Sequence, residues 1–153
     1  MFERFAQSAR TAVEDAHFEA ARRGDRKIGT EHLLLALLQD AELARIVGAD
    51  AAAAHDAAVE LDRKALVAIG LELNGFQPAG SVALGRHVPL TAGAKTVIRQ
   101  TLRHATAEKA RSLTPRHILL ALLDQREPDA AAALLTALSV DVTAVRQRLG
   151  AAA

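Results

Sequence analysis

The sequence predicts an all-α domain built by internal duplication, and three observations carry that expectation. The segment Ile28-Gly29-Thr30-Glu31-His32-Leu33-Leu34-Leu35-Ala36-Leu37-Leu38 recurs as Leu113-Thr114-Pro115-Arg116-His117-Ile118-Leu119-Leu120-Ala121-Leu122-Leu123, with His32 and His117 standing 85 positions apart. The same gapless offset pairs Ala9-Arg10-Thr11-Ala12-Val13 with Ala94-Lys95-Thr96-Val97-Ile98, and Ala20 with Ala105. Apolar residues step by three or four along the chain, which is helical spacing. No stretch alternates convincingly at period two, so no sheet is expected beyond a chance pair in the linker.

Each repeat opens with a long amphipathic helix. Phe2, Phe5, Ala9, Val13, Ala16 and Ala20 form one stripe, and Leu90, Ala94, Val97 or Ile98, Thr101 or Leu102, and Ala105 form the other. Thr91 is a good N-cap, since its hydroxyl accepts a free backbone N–H; its counterpart Ala6 cannot. Arg22-Arg23-Gly24-Asp25 ends the first helix with basic residues and a glycine stop. A short, nearly all-apolar helix follows in each half. Gly29 or Thr30 opens the first, with Glu31 in its first turn, and Thr114-Pro115 opens the second as N-cap and N1. Being apolar almost all round, these two helices belong at the centre. Asp50 to Ile69 reads as a long Ala-rich helix ending near Gly70, and its counterpart as Asp141 to Leu149. Repeat 1 therefore spans 1–70, a Gly- and Pro-rich linker 71–89, repeat 2 90–149 and a tail 150–153. The two halves are expected to superpose by a near-twofold rotation.

Composition narrows the function. The 153 residues suit one domain, and 50% hydrophobic with 24% charged residues is not a disordered composition. The net charge of +1 and only four aromatics, all Phe, argue against nucleic acid and against an anionic membrane surface. With no cysteine there is no disulfide, thiolate metal site or Cys nucleophile. The longest apolar run, Leu33 to Leu38, is far short of the roughly 20 residues that span a bilayer. With Glu3 standing where a signal peptide is basic, a cytoplasmic protein is expected.

The chemistry search returns no catalytic constellation, cofactor motif or metal site. No Gly-Lys pair exists to build a Walker A loop, so the chain is expected neither to bind nor to hydrolyse ATP. The six histidines make no His-Glu-x-x-His pattern. His32 and His117 are best read as packed core residues that hydrogen-bond a neighbouring carbonyl. Ser8, Ser81, Ser112 and Ser139 lie in no nucleophile-elbow pattern.

Met1-Phe2-Glu3-Arg4-Phe5, Ile28-Gly29-Thr30-Glu31-His32-Leu33-Leu34, His87-Val88-Pro89-Leu90-Thr91 with Ala94-Lys95, and Thr114-Pro115-Arg116-His117-Ile118-Leu119-Leu120 together resemble the Clp repeat domain. This is the N-terminal domain of Clp-family AAA+ unfoldases, and the resemblance is strongest to the ClpC branch. It implies two pseudo-twofold-related four-helix repeats packed as one eight-helix domain. It implies a non-enzymatic module that docks adaptors and substrates for an ATPase ring and, in the ClpC branch, binds phosphorylated arginine side chains. The partners implied are phosphoarginine-marked or unfolded proteins and peptides, or a Clp ATPase and its adaptors. The ATPase modules are absent from this sequence. The chain is then either a domain of a longer unfoldase or a free-standing repeat protein; the degenerate repeats favour the second.

By the resemblance, a carboxylate holds the guanidinium and a helix N-terminus holds the phosphate, which is physically sensible. Glu31 matches the first family glutamate, whereas Arg116 stands at the second position. Thr91 matches the second capping threonine, whereas Ala6 stands at the first. A first helix of about 18 residues is about 27 Å long, so Glu31 lies far from its own repeat's helix start. If the two long helices run antiparallel, Thr91 approaches Glu31 and Ala6 approaches Arg116. One site is then whole (Thr30, Glu31, Leu90, Thr91, Lys95) and the other degenerate (Phe5, Ala6, Arg10, Arg116). Arg116 could hold an acidic group there instead. Two competing readings are that Glu31 merely complements its helix dipole, and that the chain is a regulatory subunit docking on a Clp ring through an apolar helix face.

Overall fold

The computed structural model describes residues 5–71, 74, 80–83, 85 and 87–151. Phe2 of the first stripe, the rest of the opening tetrapeptide, much of the linker and the last two residues lie outside the described residues. Among the described residues there are eight helices and no strand: α1 (Gln7–Arg22), α2 (Thr30–Leu37), α3 (Ala41–Val47), α4 (Ala51–Ala68), α5 (Ala92–Ala107), α6 (Pro115–Leu123), α7 (Ala130–Ala137) and α8 (Val142–Ala151). The expected tail is shorter than foreseen, because α8 continues through Gly150 to Ala151.

The helix ends follow from local chemistry. Thr91 caps α5 by accepting the Ala94 N–H at 3.1 Å, whereas Ala6 at the head of α1 supplies no side-chain cap. Asp40, Asp50 and Asp129 cap α3, α4 and α7 through their carboxylates. Gly24 ends α1 in the left-handed region at φ 76°, and the residue 85 positions on, Lys109, holds φ 54° after α5. The duplication has kept the left-handed stop but lost the glycine that makes it inexpensive.

The two short apolar helices form the centre. Every residue of α2 except Glu31 is buried, as is every residue of α6 after Pro115 and Arg116. Fully burying a leucine contributes about 1.5–3 kcal/mol, so Leu33, Leu34, Leu35 and Leu37 of α2 with Leu119 and Leu122 of α6 dominate cohesion. α1 packs along α2 and α5 along α6, while α4 meets α7 and α3 meets α8 across the repeats. Arg148 of α8 donates to the free Ile46 carbonyl at the end of α3 at 2.8 Å.

Two isolated parallel bridges join the repeats, Phe5 with Leu113 and Ile28 with Leu90. They are not in the linker, as a chance pair would be; they tie together the segments that lead into the helices. Applying the 85-residue offset to one bridge gives the other with its partners exchanged, which is what a twofold axis does. The histidines obey the same symmetry. His32 Nδ1 accepts the Gly29 N–H at 2.8 Å while Nε2 meets Asp25 Oδ2 at 2.8 Å. His117 Nδ1 accepts the Thr114 N–H at 3.0 Å while Nε2 meets Glu108 Oε2 at 3.1 Å. The expected carbonyl partner is thus replaced by a backbone N–H and a carboxylate. A histidine three residues into the helix does here what Glu or Gln does in a capping box.

Two carboxylates of the second repeat make stability depend on acid. The Arg116 guanidinium beside Glu108 holds its carboxyl below the ordinary 4.5; burial opposes this, and His117 assists. Burial alone would raise Asp124, but bonds from His104 and Arg146 hold it below its ordinary 3.8. A carboxyl lowered by folding stabilises the fold above its ordinary value and loses that contribution as pH falls through the lowered one. The urea midpoint should therefore drop as pH falls below about 4.5, and drop less steeply in Glu108→Gln/Asp124→Asn. Equal slopes in the two proteins would contradict this assignment.

Candidate ligand site where the repeats meet

The Ile28–Leu90 bridge sets the geometry of the candidate site. Ile28 N–H donates to the Pro89 carbonyl at 2.9 Å, and Thr91 N–H donates to the Ile28 carbonyl at 2.9 Å. The entry to α2 and the entry to α5 are therefore hydrogen-bonded neighbours, although they are far apart in sequence. Glu31 and Thr91 belong to one corner of the molecule. Ala6 N–H donates to the Leu113 carbonyl at 2.8 Å, which gathers Phe5, Ala6 and Arg116 at the opposite corner. This is the pairing that antiparallel long helices require.

The sequence-selected residues differ in what they offer. Glu31 is the one half-buried residue of α2, and among the described residues the nearest basic group to its carboxylate is His32 Nε2 at 3.8 Å. The carboxylate folds back over Gly29, where an added Cβ would meet its carboxyl carbon at 2.8 Å. Leu90 and Thr91 are half-buried, and Lys95, one turn along α5, is exposed. Thr30 is not available: its hydroxyl is buried, donates to Asp129 at 3.0 Å and accepts the Ala131 N–H at 3.1 Å. It pins the start of α2 to the start of α7.

At the other corner the side chains are engaged internally. Arg116 Nη1 donates to both Glu108 oxygens at 2.9 and 2.8 Å, and Nε donates to the Leu149 carbonyl at 3.0 Å. The guanidinium expected to offer itself to an acidic ligand already has a carboxylate. Arg10 Nε donates to the Phe5 carbonyl at 3.2 Å, and Phe5 is buried.

Several residues at the first corner were not selected from sequence. Asp129 approaches the first turn of α5, its Oδ2 lying 3.2 Å from where a Cβ on Gly93 would stand. A cleft of about 260 Å³ opens beside Glu31 between α4 and α7, lined also by Arg23, Ala58, Leu61, Asp62, Ala130, Ala133 and Leu134. Arg23 Nη2 bonds Asp62 at 2.8 Å, while its buried Nε has no hydrogen-bond partner. The repeat offset was a signal for Arg23, because it matches Glu108: the Arg23/Glu31 positions are the charge reversal of Glu108/Arg116.

Asp25, Glu31 and His32 bring ligand-type atoms within 4.8 Å of one another. The donor set does not suit a metal. His32 Nδ1 accepts a backbone N–H, so the ring proton sits on Nε2 and points at Asp25. A metal on Nε2 would move that proton to Nδ1 and set it against the Gly29 N–H.

The Clp repeat (R) N-terminal domain family matches this chain twice, over residues 4–87 and 89–153. The chain belongs to that family. It is 30% identical over 151 residues to the ATP-dependent Clp protease ATP-binding subunit ClpA homolog of Guillardia theta, covering 97% of this chain and 17% of that protein. It is likewise 30% identical over 155 residues to the negative regulator of genetic competence ClpC/MecB of Bacillus subtilis, covering 97% and 17%. This Clp repeat chain thus spans about a sixth of the length of those relatives. In fold it is similar to the N-terminal domain of the chaperone ClpD from Arabidopsis thaliana, with TM-score 0.67, 24% identity and coverage of 97% and 99% of the two chains. The Hsp104 N-terminal domain from Candida albicans is similar at TM-score 0.67 and 17% identity, covering 96% and 89%. No helix among the described residues is long and apolar enough to cross a membrane.

Proposed function

We propose that this Clp repeat domain is a non-enzymatic receptor module of the Clp protease system that holds one phosphoarginine side chain, and through it a marked protein or peptide. It would act as an adaptor, decoy or sequestering factor. One observation supports the reading: the Ile28–Leu90 bridge sets the entry to α2, whose first turn carries Glu31, beside the Thr91-capped start of α5. A carboxylate accepts a guanidinium fork, and free N–H groups with the positive end of a helix dipole accept a phosphate. Lys95 adds a positive charge one turn further on. Asp129 opposes the phosphate but is itself satisfied by Thr30 and two backbone N–H groups of α7.

Titrating the isotope-labelled chain with phosphoarginine while recording amide resonances tests this placement. Shifts should concentrate at Gly29 to His32 and at Thr91 to Lys95, with Ala6 to Arg10 and Arg116 silent. Shifts centred on Ala6 and Arg116 would contradict it.

The competing reading, docking on a Clp ring without a marked side chain, draws on exposed apolar side chains. Phe18 on α1 is 70% exposed and Ile69 after α4 is 74% exposed. Co-purification with a Clp ATPase that survives Glu31→Ala and is lost in Phe18→Ser/Ile69→Ser would favour it.

A further inference from the structure

The cleft beside Glu31 has a twofold mate, and the two differ in a way that assigns an occupant to one of them. The first lies between α4 of repeat 1 and α7 of repeat 2, with Glu31 on its rim. Its mate, of about 270 Å³, lies between α8 and α3, with Arg116 on its rim and Leu43, Ile46 and Leu149 among its walls. In the mate the rim group is closed off by Glu108 and by the Leu149 carbonyl. In the first cleft the rim carboxylate of Glu31 meets no Lys or Arg among the described residues, only His32 Nε2 at 3.8 Å, and the other charged groups, Arg23 and Asp62, bond each other.

The remaining wall, Ala58, Leu61, Ala130, Ala133 and Leu134, is apolar. Its alanines leave the space that larger side chains would fill. At about 260 Å³ the cleft is smaller than the ~300–1,000 Å³ that holds a drug-sized ligand, which suits one aliphatic side chain rather than a folded segment. A carboxylate that wants a cation, on the rim of an apolar hole of that size, matches a peptide in which a guanidinium-bearing residue adjoins an aliphatic one. We propose that this cleft is a specificity subsite for an aliphatic side chain, leucine or close to it in size, next to the residue whose guanidinium lies on Glu31. The proposal rests on the reading of Glu31 given above. It assigns to α4 and α7 a role in choosing among marked sequences, separate from holding the mark.

Calorimetry with three probes tests it: free phosphoarginine, a glycine-flanked phosphoarginyl peptide, and peptides with leucine on one side or the other. One leucine-flanked peptide should bind about ten-fold more tightly than the glycine-flanked one, the effect of burying most of one leucine side chain. Ala133→Leu, at a half-exposed position of α7, should fill the cleft and remove that advantage while leaving the affinity for free phosphoarginine unchanged. Equal binding of leucine- and glycine-flanked peptides, with free phosphoarginine still bound, overturns the subsite alone. A leucine advantage that survives Ala133→Leu also overturns it. Failure of free phosphoarginine to bind overturns the reading of Glu31 and the subsite with it.

Discussion

Replacing His32 with leucine is expected to cost the domain about 1–3 kcal/mol, a large share of the ~5–15 kcal/mol by which a domain of this size is stable. His32 is 1% exposed and Gly29 is buried, so no water replaces the acceptor of the Gly29 N–H, whereas the Asp25 carboxylate, 45% exposed, turns to solvent. The Gly29 N–H loses its acceptor and Asp25 loses its donor in one step. His32→Gln should cost clearly less, because glutamine three residues past an N-cap accepts the same N–H in a capping box. The equivalent changes at His117 should follow the same order, since the Thr114 N–H and Glu108 stand in the same relation to it. Denaturant titration at pH 7 reads both series. A loss below about 1 kcal/mol in His32→Leu, or no gap between leucine and glutamine, would contradict this account of the histidines.

Glu31→Ala should abolish phosphoarginine binding without unfolding the domain. Losing one partner of a charge-assisted hydrogen bond costs on the order of 1.5–3 kcal/mol, ten-fold or more in affinity. Glu31 supports α2 only as its first-turn acid, worth about 0.3–1 kcal/mol, so its removal should lower the denaturation midpoint only slightly. Gly29→Ala offers a second route to the same loss, because the new methyl occupies the space of the Glu31 carboxylate and displaces it. Thr91→Ala should weaken binding less, since the backbone N–H groups of α5 still face the phosphate. Arg116→Glu alone should not create a strong second site, because Ala6 still supplies no capping hydroxyl. Adding Ala6→Thr to it restores both elements at the second corner and is the variant in which a second site is expected.

Most of the helical architecture was legible because duplication writes each element twice. The 85-residue offset located α1 with α5 and α2 with α6, and the capping residues Thr91 and Thr114 marked where two of them begin. α4 was legible end to end from Asp50 and Gly70. The short helices α3 and α7 were not placed individually, since seven and eight residues give too few turns for a periodic signal. Asp40 and Asp129, each capping its helix, were the available clues. At the candidate site, the pairing of Glu31 with the start of α5 followed from helix length together with the supposition that the two long helices run antiparallel, applied to residues that the family resemblance had singled out. The interior use of Thr30 did not, because nothing in local sequence ties it to Asp129, 99 positions away. The occupation of Arg116 was equally hidden: its partner Glu108 emerges only once the loop between α5 and α6 is folded. The histidines show the same limit. Their repeat-equivalent positions implied a shared structural task, but the identity of the task depended on where the preceding loops place Asp25 and Glu108.

The central claim is that one corner of this twofold fold binds and the other does not, and stoichiometry tests it most directly. Calorimetric titration of the unaltered chain with free phosphoarginine should give one site per chain, lost in Glu31→Ala and retained in Arg116→Ala. Two equal sites in the unaltered chain, or a single site that survives Glu31→Ala, would contradict it.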